Sequence, residues 1–298
     1  MTQHGELQVV SRLPAVVRAA RPRQWVKNVL VIAGPLSAGT LLDAAHLGAV
    51  GVAFACFCLS ASGIYLVNDV LDRESDRQHP VKRYRPIASG ELSARAAVAW
   101  GILLLLGSPV GAWALGYAQL AVVLVLYSIM QLAYCVYLKH QAVLDLAVVS
   151  SGFLLRAIAG GVAASVPLSP WFLLVASFGS LFMVAGKRYS EVRLVGEGAG
   201  ATRRSLELYS ASYLRFAWGM AGSATITFYS LWAFSLERTN LLLPQLSIAP
   251  FVLALLRYAI DIDKGAAGEP ETIVLGDRTL QVLGALWLVT FVISASIG

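Results

Sequence analysis

Four oxygen-bearing side chains, Asn68, Asp69, Asp72 and Asp76, recur within the short run Val67–Pro80. On a helix turning about 100° per residue, with Asn68 as origin, Asp72 falls at ~40°, Asp76 at ~80° and Asp69 at ~100°. All four therefore share roughly one quarter of the helix surface, whereas Glu74, at ~240°, points elsewhere. Carboxylates crowded in this way repel one another unless a cation joins them. Hard oxygen ligands on one face suit Mg2+, which binds through one or two carboxylates plus substrate phosphates and keeps several waters. The same residues also read as a solvated acidic turn at a helix end.

Cations come next in the chain. Pro80 blocks continuation of the helix, so Val81–Pro86 is predicted to run extended, and it carries Lys82, Arg83 and Arg85. Basic residues at this depth anchor lipid headgroups; set directly beside acids, they cradle a metal-bound phosphate instead. Further on, Tyr134 and Lys139 precede Asp145 and Arg156, which lie about three helical turns apart on nearly one face. Arg156 reads either as a functional cation facing a wet cavity or as a structural one bound to backbone carbonyls. Lys187, Arg188 and Glu191 form a second polar group, with Arg193, Arg203 and Arg204 after it. Lys187 and Glu191 stand at i, i+4 and can simply pair with each other. Asp261 and Asp263 read as metal ligands or, with Gly265 and Gly268 after them, as part of a capped connector. Near the start, Arg21–Asn28 places Trp25 among cations as an interfacial collar. Its Lys27 can reach a substrate phosphate.

The elements that position these groups are membrane spans. Of 298 residues, 57% are apolar and 13% charged, and the mean hydropathy is +0.69. Soluble domains have about 45–50% apolar and about 25% charged residues, so one core cannot hide this surface. Charge-free runs cover Asn28–Leu42, Ala44–Asn68, Ala96–Leu138, Ala157–Gly186, Phe216–Leu236, Thr239–Leu256 and Thr279–Gly298. The third is long enough for two spans of about 20 residues, with a break at Gly116–Tyr117. With Val143–Ala164 added, the predicted fold is all-α and polytopic, about nine transmembrane helices around a cytoplasm-facing cavity. This arrangement leaves 21 of the 23 Lys and Arg residues on one side, with Arg238 across the membrane and Arg156 inside a span. Because cytoplasmic flanks collect cations, that side is expected to be cytoplasmic, and the expected location is the cell's inner (plasma) membrane. It includes an N-terminal arm, residues 1–24, whose Arg12, Arg18, Arg21 and Arg23 precede a late apolar run without a cleavage site. Cys56, Cys58 and Cys135 fall inside spans and read as packing residues.

The set Asn68-Asp69-x-x-Asp72-x-x-x-Asp76, then His79-Pro80 and Arg85-Pro86-Ile87-Ala88-Ser89-Gly90, resembles the UbiA superfamily of intramembrane prenyltransferases. The resemblance extends through Tyr134, Leu138-Lys139 and Asp145 and covers 1–298 as a single domain. Arg21–Asn28, Gly186–Tyr189 and the tail Arg257-Tyr258, Gly268–Glu271 and Asp277-Arg278 resemble its decaprenyl-phosphate phosphoribosyltransferase branch. One departure is informative. Aromatic prenyltransferases of the superfamily carry a second Asp-rich cluster where this chain reads Lys187-Arg188-Tyr189-Ser190-Glu191, two cations and one acid.

The resemblance implies transfer of 5-phosphoribosyl from 5-phosphoribosyl 1-diphosphate to decaprenyl phosphate, releasing diphosphate and feeding arabinan synthesis in the cell wall. Asp69, Asp72 and Asp76 would be the catalytic residues and the ligands of Mg2+, with Asn68 orienting the leaving group. Lys82, Arg83 and Arg85 would bind the donor's phosphates. Lys139, Arg156, Lys187 and Arg188, with Tyr134 and Glu191, would position the lipid phosphate. That acceptor is already anionic, so no histidine is expected to be catalytic, and His79 is expected to end a helix. Partners are then the donor, the lipid phosphate and membrane lipids, with no nucleic acid; the oligomeric state is left open. Two other readings stand beside this one: transfer of a prenyl diphosphate to an aromatic acceptor, and a transporter for a phosphorylated solute.

Overall fold

The computed structural model describes residues 13–41, 43–196, 208–236, 242–268 and 270–296. Arg12, Arg203, Arg204, Arg238 and Glu269 lie outside them. Among the described residues every regular element is helical. The long helices are α1 (Ala44–Leu71), α2 (Ala94–Ala114), α3 (Ala118–Val136), α4 (Leu144–Ala163), α5 (Pro170–Gly196), α6 (Ala211–Ser235), α7 (Ile248–Asp263) and α8 (Arg278–Ser296).

Six stretches are long and apolar enough to cross a membrane: Ala44–Leu71, Ala94–Ala114, Ala118–Val136, Leu144–Ala163, Pro170–Arg193 and Pro244–Asp263. This is a multi-pass membrane protein. Two more of the nine expected spans are long helices outside that set: α6, which carries Arg215 and several hydroxyls, and α8, whose apolar part, Arg278–Ile293, is shorter. The first apolar run departs further. Pro22–Ile32 is a 3-10 helix, succeeded by the short helix Ala33–Ser37. Its β-branched residues, Val26, Val29, Val31 and Ile32, are poor α-formers, and Gly34 with Pro35 interrupts the helix, so this run is not one long α-helix.

Tertiary packing decides where this segment lies. The Val31 carbonyl sits so close to α4 that a Cβ at Gly160 would meet its oxygen at 1.6 Å. Only glycine permits that approach. At its other end the segment is tied to α1: Trp25 Nε1 donates to Ser62 Oγ at 3.1 Å, Ser62 Oγ donates to the Ala20 carbonyl at 3.1 Å, and Asn28 Nδ2 donates to Cys58 Sγ at 3.3 Å. The expected headgroup-level collar is therefore a strap that runs antiparallel along α1 and packs against α4, its Trp25 committed to a helix rather than to lipid.

Two cores flank α4. One gathers Phe57, Leu120, Leu124 and Tyr127 with Ala159 and Ala163; the other gathers Leu146, Phe182, Tyr189, Leu214, Tyr258 and Ile262. Residues on the outer faces of α2 and α3, such as Leu103, Leu106, Val122 and Ile129, are apolar and exposed, as a lipid-facing surface requires. Cys56, Cys58 and Cys135 are buried and in no disulfide, as their position in spans predicted.

Candidate active site

Helix α1 ends at Leu71, and after a break at Asp72 the chain resumes as the short helix Arg73–Gln78. The Asp76 N–H still donates to the Asp72 carbonyl at 2.8 Å, so the helical register continues across the break. The predicted acidic edge survives, and each of its carboxylates meets a cation. Arg85 Nη1 donates to Asp76 Oδ2 at 2.6 Å and to Asp69 Oδ1 at 3.3 Å. Arg21 Nη2 donates to Asp69 Oδ1 at 2.5 Å. Lys139 Nζ donates to Asp72 Oδ1 at 2.6 Å, and Asn68 Nδ2 reaches Asp72 Oδ2 at 3.0 Å. Three acids and three cations thus balance, which is how a crowded carboxylate edge avoids self-repulsion.

Arg85 owes its place to a local fold that proline alone did not predict. His79 ends the short helix, and its Nδ1 accepts the N–H groups of Val81 and Lys82 at 3.2 Å each. That turns Lys82–Tyr84 into a 3-10 element rather than the extended strap expected. Arg77 Nε then donates to the Ala88 carbonyl at 3.1 Å, and Ile87 and Ala88 are buried, pinning the loop that carries Arg85.

A second cluster lies in the interior. Asp145 is wholly buried, and Arg188 grips it twice, Nε to Oδ2 at 2.8 Å and Nη2 to Oδ1 at 3.0 Å. The Tyr134 hydroxyl donates to Asp145 Oδ1 at 2.7 Å, and Arg188 Nη1 donates to Glu191 Oε2 at 2.7 Å. Glu191 therefore pairs with Arg188 instead of Lys187, and Lys187 is half-buried with no counter-ion among the described residues. One stretch, 134–145, joins both clusters: it supplies Lys139 to Asp72, and Tyr134 with Asp145 to Arg188.

The start of α4 is held under strain. Val143 has φ +67° and ψ −48°, and the Leu144 N–H donates back to the Ala142 carbonyl at 2.8 Å, closing a γ-turn of the rare positive-φ kind. A β-branched residue there costs of the order of 1–3 kcal/mol and persists only when its surroundings enforce it. The Val143 N–H donates to the Tyr209 hydroxyl at 2.7 Å, and two residues later Asp145 enters its salt bridge.

Other predicted site residues are placed differently. Arg156 is buried away from both clusters; it donates to Asn28 Oδ1 and the Gly152 carbonyl at 2.7 Å each and to the Tyr127 hydroxyl at 3.2 Å, among the rings of Phe57, Tyr127 and Phe153. It does not meet Asp145, which takes Arg188. Arg83 lies exposed on its neighbour Tyr84, stacked and hydrogen-bonded to it. Lys27 and Lys82 are half-buried. Asp261 and Asp263 do not converge: Asp263 accepts from Arg215 at 3.2 Å, while Gly265 at φ +77° caps α7. Sequence reasoning missed Arg21 as a site residue, and Asn28 as the partner of Arg156. Both stand on the strap, whose polar residues read as interfacial until its docking is seen.

The donor chemistry of the acidic edge fits Mg2+: oxygen ligands only, on one side of one helix. Among the described residues no three His, Cys, Asp or Glu side chains close into a cage; Arg21, Arg85 and Lys139 pair with the carboxylates.

Residues 29–281 match the model of the UbiA prenyltransferase family. The chain is 53% identical over 288 residues to the decaprenyl-phosphate phosphoribosyltransferase of Mycolicibacterium smegmatis, covering 92% of this chain and 90% of that one. It is 52% identical over 291 residues to the protein of the same name from Mycobacterium tuberculosis, covering 95% and 96%. The fold is shared with a UbiA homologue from Archaeoglobus fulgidus bound to DMAPP and Mg2+, at a TM-score of 0.71 and 18% identity, over 95% of this chain and 99% of that one. The chain belongs to the UbiA prenyltransferase family.

Proposed function

We propose that this protein transfers 5-phosphoribosyl from 5-phosphoribosyl 1-diphosphate to decaprenyl phosphate, at a site on the cytoplasmic face of the inner membrane. The bond from ribose C1 to the diphosphate oxygen breaks, a bond from C1 to the lipid phosphate oxygen forms, and diphosphate leaves. The observation that carries this reading is the charge asymmetry of the site. One acidic edge faces cations, and the second polar group offers Lys187 without a counter-ion among the described residues, while its acids, Asp145 and Glu191, are taken by Arg188. A lipid monophosphate needs a cation there, not a second metal-binding acid cluster. The two mycobacterial relatives named for this reaction support the same reading.

Asp69, Asp72 and Asp76 would hold Mg2+, which when bound neutralises charge on the departing diphosphate. Asn68 holds Asp72 in register. Arg85 and Lys139, already beside these carboxylates, supply the N–H donors for the donor's phosphates. Lys187 takes the lipid phosphate, and Tyr134, Asp145 and Glu191 keep Arg188 fixed beneath it. The acceptor oxygen is anionic at neutral pH, so no side chain has to remove a proton.

The test uses the full chain in nanodiscs with ribose-labelled donor, decaprenyl phosphate and Mg2+. Label should enter the organic phase with one diphosphate released per ribose transferred. Consumption of an aromatic acid with a prenyl diphosphate, and no ribose transfer, would favour aromatic prenylation. Uptake of label into vesicles without diphosphate release would mark a transporter.

A further inference from the structure

We propose that Arg21 is an exchangeable counter-ion: it holds Asp69 until a divalent cation takes that carboxylate, and the freed guanidinium then binds a phosphate of the donor. This rests on the proposed function only for the donor's identity; the chemistry needs a diphosphate and a divalent ion.

Asp69 meets two cations at a single oxygen. Arg21 and Arg85 both donate to the same oxygen, Oδ1, while Arg85 also serves Asp76. Of the two, Arg85 bridges two acids, whereas Arg21 pairs with Asp69 alone and can leave without breaking a second pair. The carboxylate is fixed, with a side chain only 3% exposed, whereas that of Arg21 is 27% exposed. The guanidinium also lies 4.9 Å from the centre of the Tyr65 ring, one helical turn before Asp69. A guanidinium stacked on an aromatic face keeps that contact while its N–H groups change partner.

The backbone places Arg21 deliberately. Its φ of +54° and ψ of +61° are left-handed, a region non-glycine residues rarely occupy. Pro22 disfavours the right-handed helical conformation at the residue before it, so the chain turns at Arg21 and the next residues start the 3-10 helix. Anchoring the strap does not need the Asp69 pair, because Arg18 meets Glu91 and Trp25 meets Ser62 on either side of it. The strained, partly exposed cation is therefore able to serve the site.

The test measures binding, not transfer. Mn2+ is titrated into the detergent-solubilised full chain by electron paramagnetic resonance, with and without inorganic diphosphate. Arg21→Gln should tighten Mn2+ binding alone by about three- to tenfold, since a competing cation is gone, and weaken diphosphate binding at saturating Mn2+ by about tenfold. Arg21→Lys, which keeps the charge but loses the stacked fork, should leave Mn2+ binding near that of the wild type and lower diphosphate affinity several-fold; it carries the test should Arg21→Gln not fold. Arg18→Gln should change neither constant. Unchanged or weaker Mn2+ binding in Arg21→Gln, wild-type diphosphate binding in Arg21→Lys, or equal effects from Arg18→Gln would overturn the proposal. Neither readout involves ribose or lipid, so a failure of phosphoribosyl transfer would leave this result interpretable on its own.

Discussion

Two ion-pair clusters sit at the same end of the bundle, and they are built in opposite ways. On the acidic edge, Asp69, Asp72 and Asp76 take cations from three separate segments, the strap, the loop after Pro80 and the turn after α3, and those cations remain partly exposed. In the interior, Asp145 and Arg188 form a bidentate pair with both side chains at or below 5% exposure. A partly hydrated pair exchanges partners at modest cost, whereas a buried charge left alone costs several kcal/mol. The edge is therefore suited to handing carboxylates to a metal and cations to phosphates. The buried pair is suited to holding α3, α4 and α5 in place around it.

The sharpest way to break this contrast is Asp72→Ala, which should lower phosphoribosyl transfer by roughly 10^4-fold, about 5.5 kcal/mol of barrier, with an unchanged melting temperature. A variant that keeps near-normal turnover would remove Asp72 from the chemistry. Asp145→Ala should do the reverse. It strands the Arg188 charge in the interior and should cost about 3–5 kcal/mol of stability, seen as a large drop in the thermal midpoint in detergent before any kinetic effect is separable. Gly160→Ala tests whether strap docking supports the edge. Its Cβ would collide with the Val31 carbonyl, and overpacking of this kind costs about 1–3 kcal/mol or more, with Asp69 losing Arg21 as the strap lifts. Limited proteolysis near residue 25 should report that displacement. The smallest effect belongs to Glu74→Gln. Glu74 is exposed and among the described residues pairs only with Arg77, so neither the melting temperature nor turnover should change measurably.

Legibility in the sequence differs from residue to residue. The acidic edge was readable because helical periodicity over Asn68–Asp76 is a local property and survives the break at Asp72. The 3-10 turn at Lys82–Tyr84 was not, since it depends on a His79 ring accepting two N–H groups rather than on proline alone. Arg156 was legible as a charge inside a span, but its partner Asn28 lies on a segment that reads as interfacial. Arg188 read as a phosphate ligand because nothing in one dimension tells that Asp145, in a different helix, already occupies it.

The amino-acid sequence by itself determined that this chain lives in a membrane and that three aspartates share one helix edge. Each comes from composition or from periodicity along a single element. Only the tertiary structure decided which cation meets which acid, since Arg21, Arg85 and Lys139 come from segments far apart in the chain and converge only through packing. The strap shows why: a glycine on α4 and a carbonyl from Val31 must touch before Arg21 can stand beside Asp69. Close approach of that kind depends on backbone geometry between elements, to which side-chain patterns within an element are blind.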